Sequence, residues 1–315
     1  MNRGYLQQNT LDGRDWILGG VSGFNGEVLC ADGQWDNYLP EYETQYRNGF
    51  DVYACVTFAT LNAIETLLKQ RGVVVNLSDR YIAAKSGTKC GVGNYMATVA
   101  QTLRDCGAPL ETDYPWGGNT CEAYYSEMPS ELDEKAKELL KQYEFQYLWA
   151  YDTTKTEPEA RKYAIQFSPI TVAVNASDSH VYQEDGIIKP SEPQRSNHCV
   201  MCYGYEDGKY WKIYDHYDNK YKKYAWDYKF GADMMFVIKN KEEIKPMLPE
   251  QLQKGTHFIQ NTQGDGSFAL LIDGKMYVDE VPKLIATYIT RTEGSGLAKE
   301  LWDALEKYNL KNQLI

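Results

Sequence analysis

The chain has 315 residues, of which 43% are hydrophobic, 13% aromatic and 24% charged, an ordinary mix for a globular protein. At about 150 residues per domain this length predicts roughly two domains, or one domain with an appendage. A mean hydropathy of -0.56 and the lack of an apolar run of about 18 residues exclude a membrane-spanning helix. The 33 Lys and Arg against 44 Asp and Glu leave a net charge of -11, so the basic footprint of a nucleic-acid or anionic-membrane binder is missing.

The N-terminal MNRGYLQQNTLDGRDW has no apolar core of the secretory type. Seven cysteines, an odd number at low density, predict mostly reduced thiols and an intracellular or phage-borne protein rather than a disulfide scaffold. Cys199 and Cys202 form the one close pair, inside an apolar strand-like run that suits no structural metal.

Residues 1–44 read as an extension of loops and short strands. The stretch 51–72 turns helical, with Phe58, Leu61, Ile64, Leu67 and Leu68 on one face and Gly72 as the stop. Two shorter helices follow in 76–106, split by the Gly-rich GTKCGVGN, and a charged helix at 130–143. Strand patterns then take over at 170–176, 198–206, 209–217 and 233–240. Helices first and antiparallel strands later predict an α+β fold. A charged, proline-bearing linker at 239–255 separates a domain of 1–244 from a small module of 245–315. In that module an Asp-Gly turn marks a hairpin over 268–278, and two helical faces run through Val281–Ile289 and Leu297–Tyr308. NTQGDGSFALLI looks like a calcium loop but carries Ile272 where a Glu is needed.

Three residues gather the chemistry. Cys55 falls in the first turn of the predicted helix, where the helix dipole stabilises a thiolate. Alone it reads as a buried cysteine. His198, one of four histidines, opens an apolar strand after a polar loop. Asp215 ends the next strand, and a hairpin turning near Asp207-Gly208 brings it beside His198, where it can orient the imidazole. Alone, each of these reads as structural. Together they lie in the order nucleophile, base, orienting group, with 143 residues between Cys55 and His198. Asp218 and Asn219 are the next candidates for the third position.

Six separated pieces then resemble the papain family of cysteine peptidases. ACVTFATLNAIE (54–65) is similar to the nucleophile helix, NLSDRYIA (76–83) to the LSEQ-type helix start, and KCGVGNY (89–95) to the Cys-x-Gly-Gly loop. GAPLETDYPW (107–116), SPITVAVNA (168–176) and NHCVMCYGYEDGKYWKIYDHY (197–217) follow in family order, so the resemblance spans about 45–238. It implies a papain-like fold and peptide-bond hydrolysis by a Cys55–His198 pair, with Gln45 as oxyanion donor. Gly91, Val92 and Gly93 would bind substrate backbone, and neither metal nor organic cofactor is implied.

The departures are specific. Val56 replaces the Trp after the nucleophile, Asp215 replaces the family's Asn, and Gly49 stands where the oxyanion Gln usually precedes the Cys by six residues. Gln45 and Asn48 are the candidates for that Gln, and Gln45 is preferred if the connection to the helix is longer here. Val52 stands near the place of a disulfide-forming Cys, and fewer than 50 residues precede Gln45, too few for a long inhibitory prosegment. Divergent bacterial and phage peptidases of this type are the nearer match. Two other functions fit the same residues: a peptidoglycan-directed Cys–His amidase anchored by its C-terminal module, and an inactive papain-like component of a phage particle. The expected partner is a polypeptide substrate, with a protein or cell-wall ligand for the module, no nucleic acid and no membrane. The expected location is cytoplasmic or virion-associated.

Overall fold

A computed structural model describes residues 4–7, 18, 27–126, 128–150, 155–180, 185–189, 195–217 and 220–241. Only the backbone is described at 179–180 and in strands at 256–260, 268–272 and 275–277. The chain divides into two compact units, 1–244 and 245–315.

The first unit opens with a two-strand hairpin, β1 (Tyr46–Arg47) and β2 (Phe50–Asp51), registered Tyr46 against Asp51. Its two-residue turn is Asn48-Gly49, with φ of 54° and 84°, the left-handed pair that favours this dipeptide. Helix α1 (Cys55–Gln70) follows directly, so the predicted helical stretch begins four residues later than expected. The reason is local: Asp51 is held in the hairpin and its carboxylate accepts the Tyr53 N–H at 2.7 Å. Cys55 through Leu68 are buried on every side of α1, making it the axis of the core. The helix stops at Gly72, whose φ of 81° suits a residue without a Cβ.

Helices α2 (Asp79–Lys85) and α3 (Met96–Cys106) pack on α1, and Ser78 caps α2 by accepting the Tyr81 N–H. A short α4 (Cys121–Tyr124) and α5 (Leu132–Gln142) complete this half. Strand β3 (Tyr143–Trp149) and α6 (Glu157–Ala164), both unpredicted, lead into β4 (Ile170–Val174), β5 (Ile187–Ile188), β6 (His198–Glu206), β7 (Tyr210–Tyr214), β8 (Tyr221–Ala225) and β9 (Asp233–Asn240). These strands form one sheet in the order β3-β9-β4-β6-β7-β8-β5, antiparallel apart from β5 on β8. The α+β expectation holds, and α1 lies against β6 at the centre of the sheet.

Two links cross this unit. Arg161 of α6 forms a buried fork on Asp233 of β9, with Nη2 2.7 Å from Oδ2 and Nε 3.2 Å from Oδ1. Cys90 is disulfide-bonded to Cys121, correcting the expectation of reduced thiols at these two positions. Their Cα atoms lie 5.9 Å apart because α4 begins beside the 89–95 loop, a spacing that bridged cysteines require. The other five cysteines are free.

In the second unit, β10 (Thr256–Gln260), β11 (Phe268–Ile272) and β12 (Lys275–Tyr277) form a three-strand antiparallel sheet. Ile272 pairs with Lys275, as the Asp-Gly hairpin predicts, and β10 adds a third strand. The helical faces expected after 280 and the linker from 242 to 255 lie outside the described residues.

Candidate functional site

The site forms where the N-terminus of α1 meets the first residues of β6. Cys55 is the first residue of α1 and has no exposed surface. Burial pushes its thiol well above its ordinary pKa; the nearby Cys199 thiol, Asp51 and Asp215 add to this, while the Cys199 backbone N–H opposes it. In this closed arrangement Cys55 is the neutral thiol.

His198 begins β6, and Asp215 follows the end of β7. The antiparallel register, Met201 opposite Tyr214, sets Asp215 across from the start of β6, within side-chain reach of His198. The contact is made: His198 Nε2 lies 3.0 Å from Asp215 Oδ1 with both side chains buried. Bonding through Nε2 turns the other nitrogen, Nδ1, toward the interior, where it has no hydrogen-bond partner among the described residues. Asp215 Oδ1 also accepts the Tyr217 N–H at 3.0 Å, and Oδ2 lies 2.6 Å from Lys222 Nζ on β8. Burial alone would raise the Asp215 carboxyl; the His198 charge and hydrogen bond, then Lys222 and His216, outweigh it and hold the group ionised well below the usual carboxylate range. Asp218 and Asn219 lie outside the described residues.

Gln45 is fully buried and tied on three sides. Its N–H bonds to the His216 carbonyl at 2.9 Å, its carbonyl accepts the Val52 N–H at 3.2 Å, and its Nε2 donates to Asp51 Oδ1 at 2.8 Å. The β1–β2 hairpin accounts for the ten-residue interval from Gln45 to Cys55. Asn48, the other candidate, sits exposed in the hairpin turn.

Four further residues surround the site without a sequence signal that singled them out. Tyr53, two residues before Cys55, has a positive φ of 57°, a strained setting for a non-glycine residue. Tyr125 donates from its hydroxyl to the Val52 carbonyl at 2.7 Å. His216 has no exposed surface and no hydrogen-bond partner for either ring nitrogen among the described residues. Its ring stacks on Phe58 of α1 and meets His198 edge-on, each at 5.3 Å between centroids. Burial, with help from the His198 charge, pushes its pKa down to about 3. Lys222 is the fourth. Donor atoms of His198, Asp215 and His216 lie within 4.8 Å of one another. Both Asp215 oxygens are already engaged and an ammonium sits against them, so this donor set does not fit a metal ion.

The 91–93 loop is divided. Gly91 and Val92 are exposed, whereas Gly93 is buried beneath the chain's own N-terminal residues. Tyr5 bridges Asn94 in parallel; Asn94 N–H donates to the Gly4 carbonyl and Leu6 N–H to the Asn94 carbonyl, both at 2.9 Å. A Cβ on Gly4 would lie 2.0 Å from the Tyr53 carbonyl oxygen. Residues 4–6 therefore run between the segment before Cys55 and the loop expected to bind substrate.

No family model matches the chain, and no curated protein matches it by sequence. Its shape is similar to solved structures. Xylellain, a cysteine protease from Xylella fastidiosa, superposes with a TM-score of 0.53 at 16% identity, over 76% of this chain and 95% of that one. Digestive procathepsin L 3 of the Tenebrio molitor larval midgut gives a TM-score of 0.51 at 19% identity, over 75% of this chain and 76% of that one. Procathepsin B S9 from Trypanosoma congolense gives 0.51 at 14% identity, over 76% and 87%. The chain has the papain-like fold.

Proposed function

We propose that this chain is a cysteine peptidase in which Cys55 is the nucleophile, His198 the base and Asp215 the orienting group. The observation that carries the reading is the His198–Asp215 bond: it uses Nε2 and leaves Nδ1 turned inward, at the start of β6, where the next residue, Cys199, lies against Cys55. Proton transfer from the Cys55 thiol to His198 Nδ1 creates the thiolate and imidazolium. The sulfur attacks the amide carbonyl carbon, and the oxyanion is met by the Cys55 backbone N–H and the Gln45 amide. His198 returns the proton to the leaving amine, and a water activated by the same nitrogen hydrolyses the thioester. Asp215 stays ionised and keeps the ring in this tautomer.

An extended substrate would use the backbone beside Gly93, so it must displace residues 4–6. In the free chain the same contact would restrain access to this backbone. Full burial of Cys55 favours one second reading, a structural protein that retains the fold without turnover. Peptide fragments from a denatured proteome, identified by mass spectrometry after incubation with the wild-type chain and with Cys55→Ala, separate the two. New termini that appear only with wild type support the peptidase; identical fragment sets for the two proteins overturn it.

A further inference from the structure

We propose that Lys222 is a positioning residue of the same site, whose buried ammonium balances Asp215 so that the pair acts on His198 as a neutral acceptor. The role rests on the Cys55–His198 reading above. It stands on geometry: Nζ lies 2.6 Å from Asp215 Oδ2, and the two side chains are 3% and 1% exposed. Lys222 occupies an inward position of β8, flanked by outward Tyr221 and Lys223, and pairs with Ile213 of β7. A lysine aimed into a sheet interior carries a large desolvation cost, which a carboxylate in hydrogen-bond contact offsets.

The two oxygens of Asp215 divide the work. Oδ1 takes His198 Nε2 and the Tyr217 N–H and fixes ring orientation, while Oδ2 takes the charge of Lys222. An uncompensated carboxylate would favour the imidazolium far more than an amide does. Among the described residues, the other titratable groups around this pair and His198 are Cys55 from α1, Cys199 from β6, and His216 and Tyr217 from the turn after β7, with Asp51 of β2 acting on Cys55. Burial beside Phe58 holds His216 neutral, and among the described residues Lys222 is the ammonium in contact with Asp215.

Imidazole NMR titration of His198 in the Cys55→Ala background tests this without any turnover. Lys222→Met should raise the His198 midpoint by about one unit, because the carboxylate then acts on the ring alone. Asp215→Asn, which removes the carboxylate and keeps the ammonium, should lower it by a similar amount. The double variant Asp215→Asn/Lys222→Met should return to within about half a unit of the parent. In the active enzyme the alkaline limb of kcat/KM should move in the same directions, since a raised midpoint keeps the imidazolium to higher pH. A Lys222→Met midpoint equal to the parent's overturns the role. If Lys222→Met does not fold, Asp215→Asn and the double variant decide: coincident midpoints overturn it, and a return toward the parent supports it. A chain that hydrolyses nothing yet shows these shifts refutes the peptidase reading and leaves the role of Lys222 standing.

Discussion

Gly4 and Gly93 meet backbone to backbone: a Cβ on Gly93 would lie 2.0 Å from the Gly4 carbonyl oxygen. With Asn94 bonded to both Gly4 and Leu6, the N-terminal segment makes a parallel bridge to the loop that substrate is expected to use. Leu6→Pro removes the N–H that reaches the Asn94 carbonyl. One such bond is worth about 0.5–1.5 kcal/mol, so KM for a peptide substrate should fall roughly two- to tenfold with kcat unchanged. An unchanged KM would mean that residues 4–6 do not compete with substrate.

Gln45→Ala should lower kcat about a hundredfold or more and change KM little, because an oxyanion donor acts in the transition state. Steady-state kinetics on a short peptide measure this. A variant that changes KM alone would assign Gln45 to holding the β1–β2 hairpin.

The helical first half and the central strands were legible because α1, α3, β4 and β6 carry strong local periodicity or β-branched runs. The meeting of His198 and Asp215 was legible because a hairpin of known turn fixes which strand ends meet, and the place of Cys55 at a helix start because the helical pattern after it is strong. The start of α1 was misplaced because tertiary hydrogen bonds, Gln45 and Tyr53 on Asp51, hold the preceding residues in a hairpin that their apolar pattern does not announce. The Asn48-Gly49 dipeptide was the available signal for it. Strand β3 was missed because its pairing with β9 lies nearly a hundred residues away in sequence. Lys222 was also readable in principle, as a charged residue at an inward position of an alternating strand, but only once β8 and its facing direction were known. The contact of residues 4–6 with the 93–94 backbone is long-range and carries no local pattern.

His216 adds a pH dependence to stability. Its pKa falls from 6.5 to about 3 on folding, so the folded protein holds it neutral while the unfolded chain protonates it. Stability is therefore present above pH 6.5 and is lost progressively as pH falls toward 3. His216→Phe, which keeps a ring against Phe58, should flatten this acid-side loss by a few kcal/mol. Urea unfolding at several pH values between these limits measures it. Parallel curves for the two proteins would place the acid sensitivity in other groups.

Arg161 and Asp233 make the buried fork between α6 and β9, with the guanidinium over the Trp211 and Phe230 rings at 4.8 and 4.5 Å. Arg161→Met strands a buried carboxylate and should cost about 3–5 kcal/mol. Arg161→Met/Asp233→Leu should recover most of that loss. Chemical denaturation reads both, and a single variant within about 1 kcal/mol of wild type would show that water replaces the lost partner.

In the proposed mechanism His198 activates Cys55 as a nucleophile. A peptide-like epoxide that alkylates thiolates, incubated near neutral pH and read by intact-protein and peptide mass spectrometry, tests it most directly. The account predicts one adduct per chain, on Cys55, with loss of hydrolysis in step and with labelling largely abolished in His198→Ala. An unmodified Cys55 in a chain that still cleaves peptides, or equal labelling of Cys55 in His198→Ala, would contradict it.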